Sequence, residues 1–358
     1  MRDLVQASIA IIVVCALLFV AITQMNSAGG GGSKNTLTIY NWGEYIDPEL
    51  IDQFEEETGI KVIYETFDTN EAMMTKISQG GSAYDIAVPS EYAIEMMLED
   101  DLLVELDHSK IPNLKNIDPY FLDLPFDPSN KYSIPYFWGT LGLVYNPNLV
   151  EDHLDFTSWE QLWDESLRNK VFLFDGVREV IGMGLNSMGY SLNMKDEAIL
   201  REATDHLKTL TPNIKAVIGD EITNLMVNNE AAVALTFSGQ AADMLWENEE
   251  LDYAVPEEGS NLWFDNMVIP KTSKNVDGAH KFIDFMLRAE VGAQNADYVG
   301  YSTPNAASME LLDEEVVSDE RFYPNLEMRD RLEVYEDLGL EWIGRYNELF
   351  LEFKMGMN

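Results

Sequence analysis

The stretch from Thr36 to Phe67 constrains the fold of this chain more than any other. Thr36–Trp42 reads T-L-T-I-Y-N-W, a short strand. Asp47 and Pro48 then supply an N-cap and a first-turn proline, Leu50, Ile51 and Phe54 fall on one helical face, and Gly59 stands where a glycine ends a helix. Lys61–Phe67 reads as a second strand. Strand, helix and strand within about thirty residues make a βαβ unit, whose helical crossover leaves the two strands parallel in one sheet.

The alternation continues. Asn70 is placed to cap a helix running to Gln79, Gly80 and Gly81 break it, and Tyr84–Val88 is a third strand stopped by Pro89 and Ser90. A second series begins near residue 141, with strands at Leu141–Tyr145 and Lys170–Phe174 and a capping box at Ser158-Trp159-Glu160-Gln161. Ala232–Phe237 and Met267–Ile269 are apolar enough for strand centres, while Gly239–Leu245 and Ala279–Arg288 have helical spacing. The expected fold is therefore α/β in two lobes, and the crevice between the carboxyl ends of two sheets is the default ligand site.

The chain ahead of Thr36 has a different character. From Leu4 to Ser33 there are thirty residues without a charge, and Ile9–Ile22 is an unbroken apolar run of fourteen. As a helix, Leu4–Ile22 would reach about 28 Å, near the ~30 Å hydrocarbon thickness of a bilayer. Fourteen apolar residues also suit a signal peptide, with Asn26-Ser27-Ala28 as a cleavage site. Residues 1–25 thus read as a membrane anchor or a signal segment, and 26–35 as a Gly-rich linker. Either way the domain is exported. Cys15, between Val14 and Ala16 in the apolar run, reads as a small hydrophobe and not a lipidation site.

Composition excludes several functions. The 63 Asp and Glu against 23 Lys and Arg give a formal charge of −40, which repels nucleic acid. A hydrophobic share of 46% nevertheless supports a large core, so the acidity does not mean disorder. One cysteine precludes an internal disulfide or a cysteine metal cluster, and His108, His153, His206 and His280 have no metal-ligand spacing. Ser187, in G-L-N-S-M-G, is one residue out of step for a nucleophile elbow, and no phosphate-binding loop occurs. No catalytic residue, metal or cofactor is expected.

What stands out are aromatic residues at element ends beside polar or acidic neighbours: Trp42 and Tyr45 in N-W-G-E-Y, Tyr92 after V-P-S-E, Trp263 beside Asp265 in W-F-D, and Tyr301 in G-Y-S-T-P-N. A core aromatic belongs mid-strand or on a helix face; strand ends are where ligand-facing loops begin. Aromatic faces with carboxylates suit an organic cation, since an ammonium over a ring gains about 0.5–2 kcal/mol and carboxylates offset its desolvation.

Six ordered blocks then carry a resemblance: Y-N-W-G-E-Y-I-D-P, Y-D-I-A-V-P-S-E-Y, F-D-P-S-N-K-Y-S-I-P-Y-F-W-G-T, V-F-L-F-D-G-V-R-E-V, L-W-F-D-N-M-V-I-P and G-Y-S-T-P-N-A-A. In these the chain resembles the spermidine/putrescine-binding proteins that feed polyamine ABC transporters, from Thr36 to Gly356. The resemblance implies a two-lobed, type II-like periplasmic-binding-protein fold, each lobe a mixed sheet flanked by helices, with the polyamine in the cleft. It places lobe 1 at 36–140 plus 264–309 and lobe 2 at 141–263 plus 310–358. It implies an extracytoplasmic receptor in a bacterium whose partners are spermidine or putrescine, the permease, and the membrane through the N-terminal segment.

Carried over by position, Trp42, Tyr45, Ser90, Tyr92, Glu179, Trp263, Asp265 and Tyr301 are the implied ligand contacts. Trp42 and Trp263 would sandwich the methylene chain, Asp265 and Glu179 would hold ammonium groups, and the hydroxyls would orient it. Phe237 stands where relatives have tryptophan, keeping an apolar wall. Gly43 follows Trp42 where relatives carry a hydroxyl. Gly176 stands where relatives place a carboxylate, with Asp175 beside it, and an amide near the C-terminus has only Glu333, Tyr335 and Glu336 as nearby counterparts. Two other readings remain: another solute, such as a sugar, thiamine or ferric ion, on the same fold, or a secreted hydrolase using Asp175 and Glu179.

Overall fold

The computed structural model describes residues 35–219 and 221–357. The expected membrane or signal segment and all of the expected linker but Asn35 lie outside the described residues. Among the described residues no helix is long and apolar enough to cross a membrane.

The opening unit forms as its sequence dictates. Strands β1 (Thr36–Trp42) and β2 (Lys61–Phe67) pair in parallel along their whole length, joined by helix α1 (Pro48–Thr58). Asp47 accepts the Glu49 N–H at the start of α1, Leu50 and Phe54 are buried, and Gly59 ends the helix in the left-handed region at φ +69°. The next helix, α2 (Asn70–Ser78), departs from expectation at its cap. Thr69, not Asn70, accepts the Ala72 N–H. A hydroxyl one residue earlier takes the cap, and Asn70 turns inward to bond with Ser90 and Tyr92.

Strand β3 is only Ile86–Ala87, although Asp85 and Val88 extend its bonding to β1 through the Thr38 and Tyr40 carbonyls. Pro89 ends it, and helix α3 (Glu91–Glu99) starts directly after Ser90.

Strand β4 (Ser133–Tyr145) joins the two halves of the molecule. The expected strand was Leu141–Tyr145; the structure extends it to thirteen buried residues. Its first half pairs antiparallel with β9 (Leu262–Val268), and its second half with β7 (Val233–Phe237) and β8 (Asp252–Ala254). With β5 (Val171–Phe174) and β6 (Ile214–Ile218) the order is β2-β1-β3-β9-β4-β7-β5-β6, and β8 lies off this path on β4. A strand buried on both faces carries no alternation to mark where it begins, and Pro135, Gly139 and Thr140 interrupt its apolar residues, so only its far end is legible.

Helices α4 (Val177–Ser187), α5 (Glu197–Leu210), α6 (Ile222–Val227) and α7 (Ser238–Glu247) flank the second half. Helices α8 (Val276–Met286) and α9 (Ala289–Val299) return to the first, and α10 (Gly339–Gly356) closes the chain on the second. The capping box expected at Ser158 is not made. Trp159–Trp163 is a short 3-10 turn, and the Ser158 hydroxyl is given to Glu258 instead.

Three apolar cores result among the described residues, the third of them gathering Val144, Phe172, Met226, Met244 and Tyr253. The first gathers Phe54, Ile86, Phe121, Trp138, Phe264 and Phe285; the second gathers Trp159, Leu173, Ile181, Leu207, Tyr346 and Phe353. Tyr323 belongs to the first core, and its neighbour Phe322 packs against apolar residues of both halves. Since β4 gives its first half, with β9, to the first core and its second half to the other two, residues around its middle sit at the junction of two lobes.

Candidate ligand-binding site

The junction collects the aromatic and acidic residues noted above. Asp265 on β9 is 6% exposed and accepts two hydroxyls, Tyr45 Oη at 2.7 Å and Ser90 Oγ at 2.7 Å. Ser90 in turn accepts Asn70 Nδ2 at 3.1 Å, and the same amide nitrogen reaches Tyr92 Oη at 3.0 Å. Ser90 precedes α3, yet its hydroxyl makes no cap bond. It is spent on Asp265, so the residue that would ordinarily finish a helix serves the carboxylate instead.

Burial holds the Asp265 carboxyl up at about 6, even though the two hydroxyls pull it down. Burial, and then the Asp265 charge, raise the Tyr45 phenol well above its usual value, so it remains the donor of the pair. An organic cation would relieve this environment, because an opposite charge favours ionised Asp265. A positive helix end would not hold that cation, and Ser90 and Tyr45 orient the carboxylate that would.

Trp263, two residues before Asp265, points to the same face of β9. Its ring and those of Tyr301 and Phe237 meet at angles. Trp263 and Tyr301 are 5.6 Å apart at 62°, Phe237 and Trp263 6.4 Å at 89°, and Tyr45 and Tyr301 5.2 Å at 81°. Edge contacts of this kind build corners and leave ring faces as walls. Trp42 is fixed separately, its indole N–H donating to the Val88 carbonyl at 2.9 Å and its ring against Phe67.

Two glycines make room for these walls. Gly139 lies opposite Trp263 in the ladder, and a Cβ there would come within 2.5 Å of the indole. A Cβ on Gly239 would lie 1.6 Å from the Tyr301 ring. Gly239→Ala should therefore displace Tyr301 and cost about 1–3 kcal/mol by overpacking. Urea denaturation checks this, and a stability equal to the parent would show that the ring is free to move aside.

Glu179 occupies the first turn of α4, partly buried, where the helix terminus favours a negative charge. Burial nevertheless raises its carboxyl, against the lowering by its own N–H and by Arg178. Gly176 precedes α4, and a Cβ there would lie 2.1 Å from Glu179 Oε2. Asp175 points away, its carboxylate bonded to Lys354 on α10 at 2.7 Å. Asp175 and Glu179 thus form no pair of the kind a carboxylate-dependent hydrolase needs.

Of the C-terminal alternatives, Glu333 is engaged by Ser191 and the Leu192 N–H, and Glu336 lends its carbonyl to Arg178. Tyr335 is 6% exposed, lies under the Arg178 guanidinium at 4.3 Å, and its hydroxyl has no hydrogen-bond partner among the described residues. Sequence reasoning passed over Asn70, Arg178 and Glu91. Each is polar and next to a named residue or block, but nothing in the sequence distinguishes an inward from an outward side chain at a helix start.

The carboxyls set a pH dependence for the free protein. Besides Asp265, Glu91 is raised to about 8, first by burial and then by Asp265, while the Phe264 N–H and Arg178 oppose this. Between about 4, where these groups titrate when unfolded, and their folded values, the native state binds more protons than the unfolded one. Stability then falls as pH rises. Denaturation midpoints of the ligand-free protein should drop between pH 5 and pH 8, a window in which the exposed carboxylates are ionised in both states. A midpoint rising over that window would contradict this assignment.

The fold and this site agree with comparisons to known proteins. The sequence profile of the bacterial extracellular solute-binding proteins matches residues 49–324. The chain belongs to that family. It is 39% identical over 331 residues to the spermidine/putrescine-binding periplasmic protein of Escherichia coli strain K12, covering 92% of this chain and 94% of the relative. The structure of a spermidine/putrescine ABC transporter protein from Listeria monocytogenes superposes with a TM-score of 0.83 at 64% identity, over 90% of this chain and 99% of that one. The spermidine/putrescine substrate-binding protein PotD of Streptococcus pneumoniae gives a TM-score of 0.85 at 58% identity, over 90% and 100%. The fold is thus the two-lobed periplasmic-binding-protein type, and as a solute-binding protein the chain works outside the cytoplasmic membrane.

Proposed function

We propose that this chain captures spermidine or putrescine outside the cytoplasmic membrane and hands it to an ABC permease. The observation that carries the reading is the buried Asp265 carboxylate, held by Tyr45 and Ser90 beside the Trp263, Tyr301 and Phe237 rings. A polyamine is a flexible hydrocarbon with spaced ammonium groups, and binding it must offset both its lost freedom and the dehydration of each charge. Enclosure between lobes strengthens each ammonium–carboxylate attraction through a lower dielectric. Ring faces take the methylenes. Trp42, Tyr45, Ser90, Tyr92, Glu179, Phe237, Trp263, Asp265 and Tyr301 are the proposed contacts. The relatives named for spermidine and putrescine support this ligand class.

The proposed lobes are 36–140 with 264–309 and 141–263 with 310–358, a division that the cores favour except at Leu262 and Trp263 and along the strap around Tyr323, which lie with the first core. The proposed tether is the charge-free N-terminal segment, which raises the receptor's effective concentration near its permease if retained. The charge of −40 draws polycations by a salt-sensitive, long-range attraction that adds no selectivity. The reading includes no catalytic step. Calorimetry should show 1:1 binding of spermidine and putrescine and no heat with glucose or glutamate. Absence of heat with both amines would overturn the reading.

A further inference from the structure

Helix α3 ties the site to the opposite lobe. At its start Ser90 gives its hydroxyl to Asp265. Ala93, Ile94 and Met97 are buried in the first core, which fixes the helix to lobe 1. Glu95 is half-buried on another side of α3, and its Oε2 accepts the Asp337 backbone N–H at 2.7 Å.

Asp337 is held by lobe 2. The strap that leans on the first core at Tyr323 has crossed to α4 and the second core by this point. Asn193 accepts the Glu336 N–H at 3.0 Å and donates to the Val334 carbonyl at 2.9 Å, Arg178 on α4 donates to the Glu336 carbonyl, and Leu338 is buried in the second core. The Glu95 bond therefore runs from one lobe to the other. The lobes also meet where the Tyr301 ring is seated on Gly239 of α7, and beside it at Gly300, where a Cβ would lie 3.4 Å from Asp243 Oδ1. These contacts belong to lobes drawn together around the site.

A carboxylate accepting a backbone N–H at short range is a strong hydrogen bond, and this one joins parts that a hinge motion separates. It is also opposed. Burial raises the Glu95 carboxyl, the Asp337 N–H lowers it, and the acidic groups Asp337, Glu336 and Glu99 raise it again. Bringing Glu95 up to Glu336 and Asp337 sets like charges together across the lobes. The bond thus does not shut an empty cleft unaided, and a bound cation supplies the missing attraction.

We propose that Glu95 latches the closed receptor: its bond to Asp337 forms when the lobes come together on a ligand, and it slows that ligand's release. The proposal rests on the polyamine reading above, which supplies the probe. Glu95 is a positioning residue, because it acts on the ligand through the lobes and not by contact. A latch made after capture lengthens residence and leaves the rate of capture unchanged.

The proposal is tested first on the parent, by amide exchange read with peptide mass spectrometry. The segment holding Asp337 should exchange about fivefold or more slowly with spermidine than without it. Equal exchange in the two states means that the bond does not follow closure, and overturns the proposal without recourse to a variant. Stopped-flow tryptophan fluorescence should then show spermidine leaving Glu95→Ala about tenfold faster than the parent, with association within about twofold. Glu95→Gln keeps an acceptor for the Asp337 N–H and should restore most of the slow release. Unchanged dissociation from Glu95→Ala overturns the latch. So does release from Glu95→Gln as fast as from Glu95→Ala, which would assign the effect to charge acting at a distance. Failure of the parent to bind spermidine overturns the polyamine reading and this proposal together, whereas binding without the exchange difference overturns the proposal alone.

Discussion

Asp265→Asn should weaken polyamine binding by about a hundredfold or more. Asparagine matches the shape but removes the charge, and its amide nitrogen cannot accept a hydrogen bond. Asp265 accepts from Tyr45 on one oxygen and from Ser90 on the other, so the variant satisfies one hydroxyl and leaves the second facing a donor. Truncating one member of a buried charge pair costs about 2–5 kcal/mol, and each 1.4 kcal/mol is a factor of ten. Titration followed by tryptophan fluorescence reads the loss directly. The free variant should fold normally and lose less stability between pH 5 and pH 8 than its parent, because one of the raised carboxyls is gone. Affinity within threefold of the parent would move the ammonium site elsewhere.

The same carboxylate shows what the sequence disclosed and what it withheld. Local chemistry was legible wherever it decided the structure alone: Asp47, Pro48 and Gly59 delimit α1, and β1 and β2 run over the residues their pattern marks. It failed where a tertiary partner competed. Asn70 is as good a cap as Thr69, but Ser90 and Tyr92 claim its amide. Ser158 is drawn off by Glu258, a hundred positions along the chain.

The site shows the same division. Aromatic residues at strand ends suggest a cation box, and the family resemblance adds Phe237 and Glu179; of these the structure brings Trp263, Tyr301, Phe237 and Tyr45 into ring contact. Glu91 stayed hidden because an acid in a first helical turn is the ordinary companion of the helix dipole. Only the fold reveals that this one faces inward, against the backbone of Phe264.

Trp263→Ala should be the second large loss, between about ten- and a hundredfold in affinity, for a reason separable from charge. The indole is 9% exposed, rests over Gly139 and borders Tyr301 and Phe237. Its removal takes away an apolar face on which ligand methylenes would stack and admits water to the neighbourhood of Asp265. Desolvated aromatic anchors of this kind carry about 2–4 kcal/mol in binding interfaces. Trp263→Phe supplies the control. It keeps a flat ring over Gly139 and should recover most of the affinity, whereas a wall needed for the indole's stronger cation attraction would leave it near the alanine level. Salt response separates an apolar wall from a charge effect. A lost apolar wall lowers affinity by the same factor at low and high ionic strength, because stacking is unscreened, while a loss confined to low salt would mean that Trp263 acts through the field around Asp265. Isothermal titration of both variants at two salt concentrations decides between these, and affinity unchanged in Trp263→Ala would show that the ring belongs to the core and not to the ligand.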